Sequence, residues 1–271
     1  MNFLFYTLLS LFAILPLPRG STFDWAWMLM SIVVYVMAAI WLLWYRQGKV
    51  VVTPAFHSAR YVMILLLIWL VWNLIQTVPL PIGLLEVISP LSAEMYRLGM
   101  PDINFAPISI DVNATREQLI TGLAYVLIFA MVLLVVDSMK RLRVFTLWLI
   151  VLGVLQAVIA SLAYFGGQEI YYNVLSAQGT FANRNQLAGF LELNLAIGIG
   201  LLLSSMSEQG SRSWRDRIRG WAQSLLSRKV RIRIYLAIMV VTLVLTRSRM
   251  GNTAFFASMT ITGILALLIM K

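Results

Sequence analysis

The chain has 271 residues, of which 61% are apolar and only 12% charged, with a formal net charge of +10 and a mean hydropathy of +0.85. So few polar side chains cannot coat a water-soluble globule of this size, which excludes a soluble domain and, with the cations split among short loops, a basic nucleic-acid-binding face; an integral membrane protein is expected. The absence of cysteine excludes disulfides, thiolate metal sites and a cysteine nucleophile, and one histidine, His57, is too little for a histidine-rich metal site.

Eight apolar stretches are predicted to be membrane helices: 2–17, 23–44, 61–78, 118–136, 144–165, 187–206, 232–246 and 254–270. Most approach the roughly 20 residues that a bilayer requires. The first meets Pro16 and Pro18 early, and the seventh is short before Arg247. No Lys or Arg precedes the first stretch and no small-residue cleavage site follows it, so it reads as a retained span and not a signal peptide.

Positive charge sets the orientation, because cytoplasmic loops collect Lys and Arg. With the N-terminus inside, all four lysines and most arginines are cytoplasmic; the outer cations are Arg19, Arg97, Arg116, Arg184, Arg247 and Arg249. The flanks of the first stretch argue the other way, but if it does not span, every later loop keeps its side. The outer loop 79–117 carries five prolines and the carboxylates Glu86, Glu94, Asp102, Asp111 and Glu117, a punctuation that predicts a compact cap with short helical turns. The inner loop 207–233 spaces Trp214, Ile218, Trp221 and Leu225 at helical intervals among arginines, as in a helix lying among anionic headgroups or a topology anchor.

In Gly179-Thr180-Phe181-Ala182-Asn183-Arg184-Asn185-Gln186 a polar turn runs straight into an apolar helix. Asn183 or Asn185 is a candidate N-cap, and the free amides of a helix start together with Arg184 favour an anion. A guanidinium suits phosphate because its planar fork meets two oxygens at once, though Arg184 alone also fits lipid headgroups. Glu192 lies about two turns inside that helix, on a face with Asn185, Gly189 and Ala196, where a buried charge needs compensation. Three readings stay open for it: an ion pair with an outer arginine, a direct role on an acceptor hydroxyl, or a neutral carboxyl. The hairpin Thr246-Arg247-Ser248-Arg249-Met250-Gly251 then places two arginines close to the membrane plane, at the level of a lipid-linked phosphate or paired with the acidic outer loop.

The pair of motifs, Gly179 to Glu192 and Thr246 to Gly251, resembles the O-antigen ligase and O-antigen polymerase family of bacterial envelope glycosyltransferases, and the stretch 108–129 looks like the part that precedes them. The resemblance divides the chain into N-terminal helices with a periplasmic loop (1–107) and the front portion of the ligase-like membrane domain (108–271). It implies an all-α, polytopic fold of about eight transmembrane helices, of the GT-C-like class, in the bacterial inner membrane with its active face periplasmic. It further implies a metal-independent and cofactor-free transfer of a glycan from undecaprenyl diphosphate to an acceptor sugar, either lipid A core or another glycan, in lipopolysaccharide or exopolysaccharide biosynthesis. Arg184, Arg247 and Arg249 match positions that engage the diphosphate, with Asn183, Asn185 and Glu192 in support; membrane lipids are the other partners, and no nucleic acid is expected.

One departure stands out. Family members carry a functional histidine in a large periplasmic loop beyond this point, and His57, on the expected cytoplasmic side, does not replace it. The chain is therefore expected to be the front portion of such an enzyme, with no catalytic residue assigned. The alternatives are a polymerase, a transporter or flippase of an anionic lipid, and a non-catalytic homologue. Transport is disfavoured because the arginines gather at one mouth, whereas transporter sites lie near the midplane.

Overall fold

The computed structural model describes residues 1–167, 176–206 and 228–269. The regular secondary structure of the described residues is helical apart from one pair of two-residue strands. A helix covers most of each of the eight apolar stretches, but not all of these helices have the length and hydropathy of a membrane span, and the described residues divide into two compact units. Four helices are long and apolar enough to cross a membrane: α2 (Asp24–Arg46), α7 (Val112–Val135), α8 (Met139–Phe165) and α9 (Arg184–Met206), the last by its segment Arg184–Ser204. Helices α1 (Asn2–Ile14) and α4 (Arg60–Ile75) are apolar but shorter. The interfacial helix expected at Trp214, Ile218, Trp221 and Leu225 lies outside the described residues.

The first unit comprises residues 1–8 and 27–137, the second 9–26 and 138–271. Within the first unit α4 packs on α7. Gly122 makes this possible, because a Cβ there would sit 2.7 Å from Cη2 of Trp69. The short helix α3 (Pro54–Ser58) is capped by Thr53, whose Oγ1 accepts from the Phe56 amide and donates to the Leu133 carbonyl at 2.7 Å.

The loop 79–117 folds as the compact cap that its prolines predict. Its strands β1 (Leu80–Pro81) and β2 (Phe105–Ala106) pair antiparallel, with Leu80 opposite Ala106. Between them lie α5 (Ile82–Ile88) and α6 (Pro90–Gly99), which starts on a proline and closes over a small core of Leu85, Ala93 and Ala106. The Ser92 hydroxyl donates to the Ile108 carbonyl and the Tyr96 hydroxyl to that of Ser109, tying α6 to the segment that leads into α7. Burial, and then the negative charge of Asp111, hold the Tyr96 phenol above its usual range. Glu86 and Arg97 form an ion pair on the cap.

The second unit is a bundle of α8, α9 and α10 (Arg228–Leu245), with α11 (Arg249–Ile269) laid on α9. Lipid tails are as apolar as leucine, so such helices associate through close packing and interhelical hydrogen bonds, and small residues mark the contacts. Gly153 of α8 faces Asn194 and Met239, and Gly198 of α9 faces Leu236. Around them Ile150, Ala157, Leu191, Leu195, Met239 and Leu243 form a closed core. The Ser161 and Thr242 hydroxyls meet at 2.8 Å, joining α8 to α10, a contact of about 0.6 kcal/mol in membrane proteins. The end of α1 belongs to this unit: Nε1 of Trp148 donates to the Leu9 carbonyl at 2.9 Å, and Phe12 packs edge-on to Phe145.

Candidate arginine site at one end of the helical bundle

The two motifs of the sequence meet at one end of this bundle. The approach to α9 is built as a seat. The Ala177 amide donates to the Leu245 carbonyl at 3.1 Å, tying the segment to the end of α10. Gly179 is left-handed (φ 60°), and a Cβ there would lie 3.2 Å from Cβ of Ala160, so both its conformation and its space call for glycine. The Thr180 hydroxyl lies 2.6 Å from the Pro16 carbonyl and 2.9 Å from Oε1 of the buried Gln156. Phe181 is buried with its ring centroid 5.3 Å from that of Phe190.

Asn183 is the cap of α9. Its Oδ1 accepts from the Asn185 amide at 2.8 Å and from the Gln186 amide at 3.1 Å, which satisfies two of the donors that a helix start leaves open. Of the two asparagines the sequence left open, only this one precedes the helix, which begins at Arg184. Arg184 and Asn185 are exposed on the first turn. Asn183→Ala is expected to lower stability by about 1 kcal/mol, read as a lower melting temperature in detergent; an unchanged melting temperature would mean that Thr180 and Phe181 alone fix this helix start.

The hairpin after α10 is tight. Thr246 is buried; its Oγ1 donates to the Leu243 carbonyl at 2.6 Å and accepts from the Ser248 amide. Arg247 turns the chain in the left-handed region at φ 52°, and its Nη2 lies 3.3 Å from the hydroxyl of Tyr164, near the end of α8. Ser248 caps α11 by accepting from the Gly251 amide at 3.2 Å. Arg249 is exposed on the first turn of α11, as Arg184 is on that of α9. Two helix starts and three arginines thus share one end of the bundle, an arrangement that favours a multiply charged anion. None of the three arginines is ion-paired to a carboxylate among the described residues.

Glu192 joins α9 to this hairpin. Its Oε1 lies 2.7 Å from the point where a Cβ on Gly251 would stand, and Cβ of Ala188 lies 2.8 Å from the same point. The small residues beside the carboxylate are therefore Ala188 and Gly251, not Gly189, whose Cβ position meets nothing within 4 Å. Oε1 is buried without a hydrogen-bond partner, as is Oδ1 of the neighbouring Asn252. Of the three readings left open for Glu192, the ion pair with an outer arginine is not formed among the described residues.

Ser248, Gly251, Thr180 and Tyr164 are parts of the site that residue types alone did not assign; Gly251 was visible as the last letter of the second motif. An open groove of about 600 Å³ continues down α11, lined by Asn252, Phe256, Ala257, Thr260 and Ile261 among others. Among the described residues no cluster of histidine and carboxylates converges where a metal ion would bind. Compared with protein-family models, with curated proteins and with solved structures, the chain matches none.

Proposed function

We propose that this end of the bundle binds the diphosphate of an undecaprenyl-diphosphate-linked glycan, on the periplasmic face of an inner membrane, for transfer of that glycan to an acceptor sugar in the manner of an O-antigen ligase. The observation that supports it most is the meeting of two motifs distant in sequence: Arg184 at the start of α9, and Arg247 with Arg249 around the start of α11, joined through Glu192 and Gly251.

The chemistry suits these residues. As the acceptor oxygen bonds to the anomeric carbon, the bond from that carbon to the diphosphate breaks and its electron pair leaves with the phosphate oxygen. Arginines held at that oxygen stabilise the growing charge more than the ground state, which is what lowers a barrier. Glu192, whose side chain meets Gly251 two residues after Arg249, suits the hydroxyl that attacks, orienting it and taking up its proton as the new bond forms. The apolar groove on α11 starts three residues after Arg249 and suits an isoprenoid chain.

The test is binding of undecaprenyl diphosphate to the detergent-purified chain by native mass spectrometry, comparing wild type with Arg184→Ala and Arg249→Ala. Each substitution is expected to weaken binding by about tenfold or more, the worth of a hydrogen bond to a charged group. Equal binding by all three proteins would leave the arginines structural and remove the donor-site reading, as a non-catalytic scaffold predicts.

A further inference from the structure

Among the described residues three that are not glycine adopt a left-handed backbone: Arg19 (φ 56°), Ser21 (φ 59°) and Arg247 (φ 52°). Two of them are arginines, and both belong to the second unit. With Gly20 at φ 65°, residues 19–21 make three left-handed residues in succession. Such a conformation is costly for L-residues and persists where surrounding contacts over-determine it, most often at functional sites.

Those contacts are with the diphosphate motif. The Pro16 carbonyl meets the Thr180 hydroxyl at 2.6 Å. Gly20 lies against Phe181, where an added Cβ would be 2.8 Å from Cδ1 of the ring. The turn closes on itself as the Ser21 hydroxyl donates to the Leu15 carbonyl at 2.6 Å and that of Thr22 to the Arg19 carbonyl at 3.0 Å. The Arg19 guanidinium stands 5.9 Å over the centroid of Phe23. A cation needed only to set topology works on any relaxed loop. This one is held in a strained turn, seated on the residues that lead to Arg184.

Resting on the donor-site reading above, we propose that Arg19 is a further arginine of the lipid-phosphate site, carried to it from the N-terminal turn. The ligand chemistry is a lipid-borne phosphate, and the source it commits to is the diphosphate of the isoprenoid donor, not the phosphodiester of a bilayer headgroup.

Arg19→Gly separates this role from a structural one, because glycine takes the left-handed conformation without steric cost while losing the guanidinium. Arg19→Lys keeps the charge and loses the fork. Both are compared with wild type and Arg184→Ala for melting temperature in detergent, and for native-mass-spectrometric binding of undecaprenyl diphosphate and, separately, of phosphatidylglycerol. The expected result is that Arg19→Gly melts no lower than wild type yet binds undecaprenyl diphosphate about tenfold more weakly, with Arg19→Lys between them and phosphatidylglycerol unaffected.

Unchanged diphosphate binding in Arg19→Gly, or a loss confined to phosphatidylglycerol, overturns the assignment. If Arg19→Gly does not fold, Arg19→Lys decides, and wild-type affinity there overturns it equally. A loss in Arg184→Ala without one at Arg19 removes this inference and leaves the donor site standing; no loss in any variant removes both.

Discussion

Glu192→Met is expected to make the protein more stable and less active at once. The substitution keeps an unbranched side chain of similar length in α9 but removes Oε1, which is buried without a partner. A buried polar atom left unsatisfied costs about 1–3 kcal/mol, and methionine adapts to irregular space, so a gain of that order should appear as a higher melting temperature. Binding of undecaprenyl diphosphate should persist, since the three arginines are untouched. Glycan transfer in membranes containing the protein should fall to background, because the attacking hydroxyl loses its acceptor. A drop in melting temperature would instead show that Glu192 serves the packing of α9 and α11, and full transfer activity would remove its role on the acceptor.

Gly251→Leu is expected to damage both stability and binding. The new Cβ would stand 2.7 Å from Oε1 of Glu192, 2.8 Å from Cβ of Ala188 and 3.1 Å from Oγ of Ser248. Glu192 can swing aside, but Cβ of Ala188 is fixed to its own helix, so α11 has to move away from α9. Overpacking of this kind costs about 3 kcal/mol for a whole leucine side chain. The shift carries Arg249 with it, so weaker diphosphate binding should accompany the lower melting temperature. Gly189→Leu is the control, since a Cβ at that position, three residues before Glu192, meets nothing within 4 Å. Equal damage from both would show that helix propensity or lipid contact, and not the α9–α11 approach, governs these positions.

How far the sequence disclosed this arrangement follows from the solvent. Apolar length marked the long helices but not where they begin: α7 starts at Val112 behind its cap Asp111 and α8 at Met139 behind its cap Ser138, each several residues ahead of the apolar stretch that announced it. What could not be read was which side of a helix meets another. In water an apolar stripe announces the packed face, whereas in lipid leucine is equally at home outward and inward. Glu192 was legible as an oddity in α9 and its outlook into the bundle was expected, but its neighbour was not. Ala188 and Gly189 are adjacent small residues, and only the position of α11 decides that the first makes the contact. The left-handed turn at Arg19 was hidden for another reason: arginine and serine carry no preference for that conformation, and part of what holds it comes from Thr180 and Phe181, far away in the chain.

Those contacts also set a timetable. Pro16 and Thr180 are 164 residues apart in the chain. At ordinary rates of synthesis, the partner of Pro16 leaves the ribosome on the order of ten seconds after Pro16 itself. Throughout that interval residues 16–20 have neither Thr180 nor Phe181 to rest on, and only the turn's own hydrogen bonds, such as those from Ser21 to Leu15 and from Thr22 to Arg19, remain to hold three successive left-handed residues. This turn is therefore made well before it can acquire its final shape, and a nascent chain that ends before Thr180 should keep it relaxed and open to a protease that the finished protein resists.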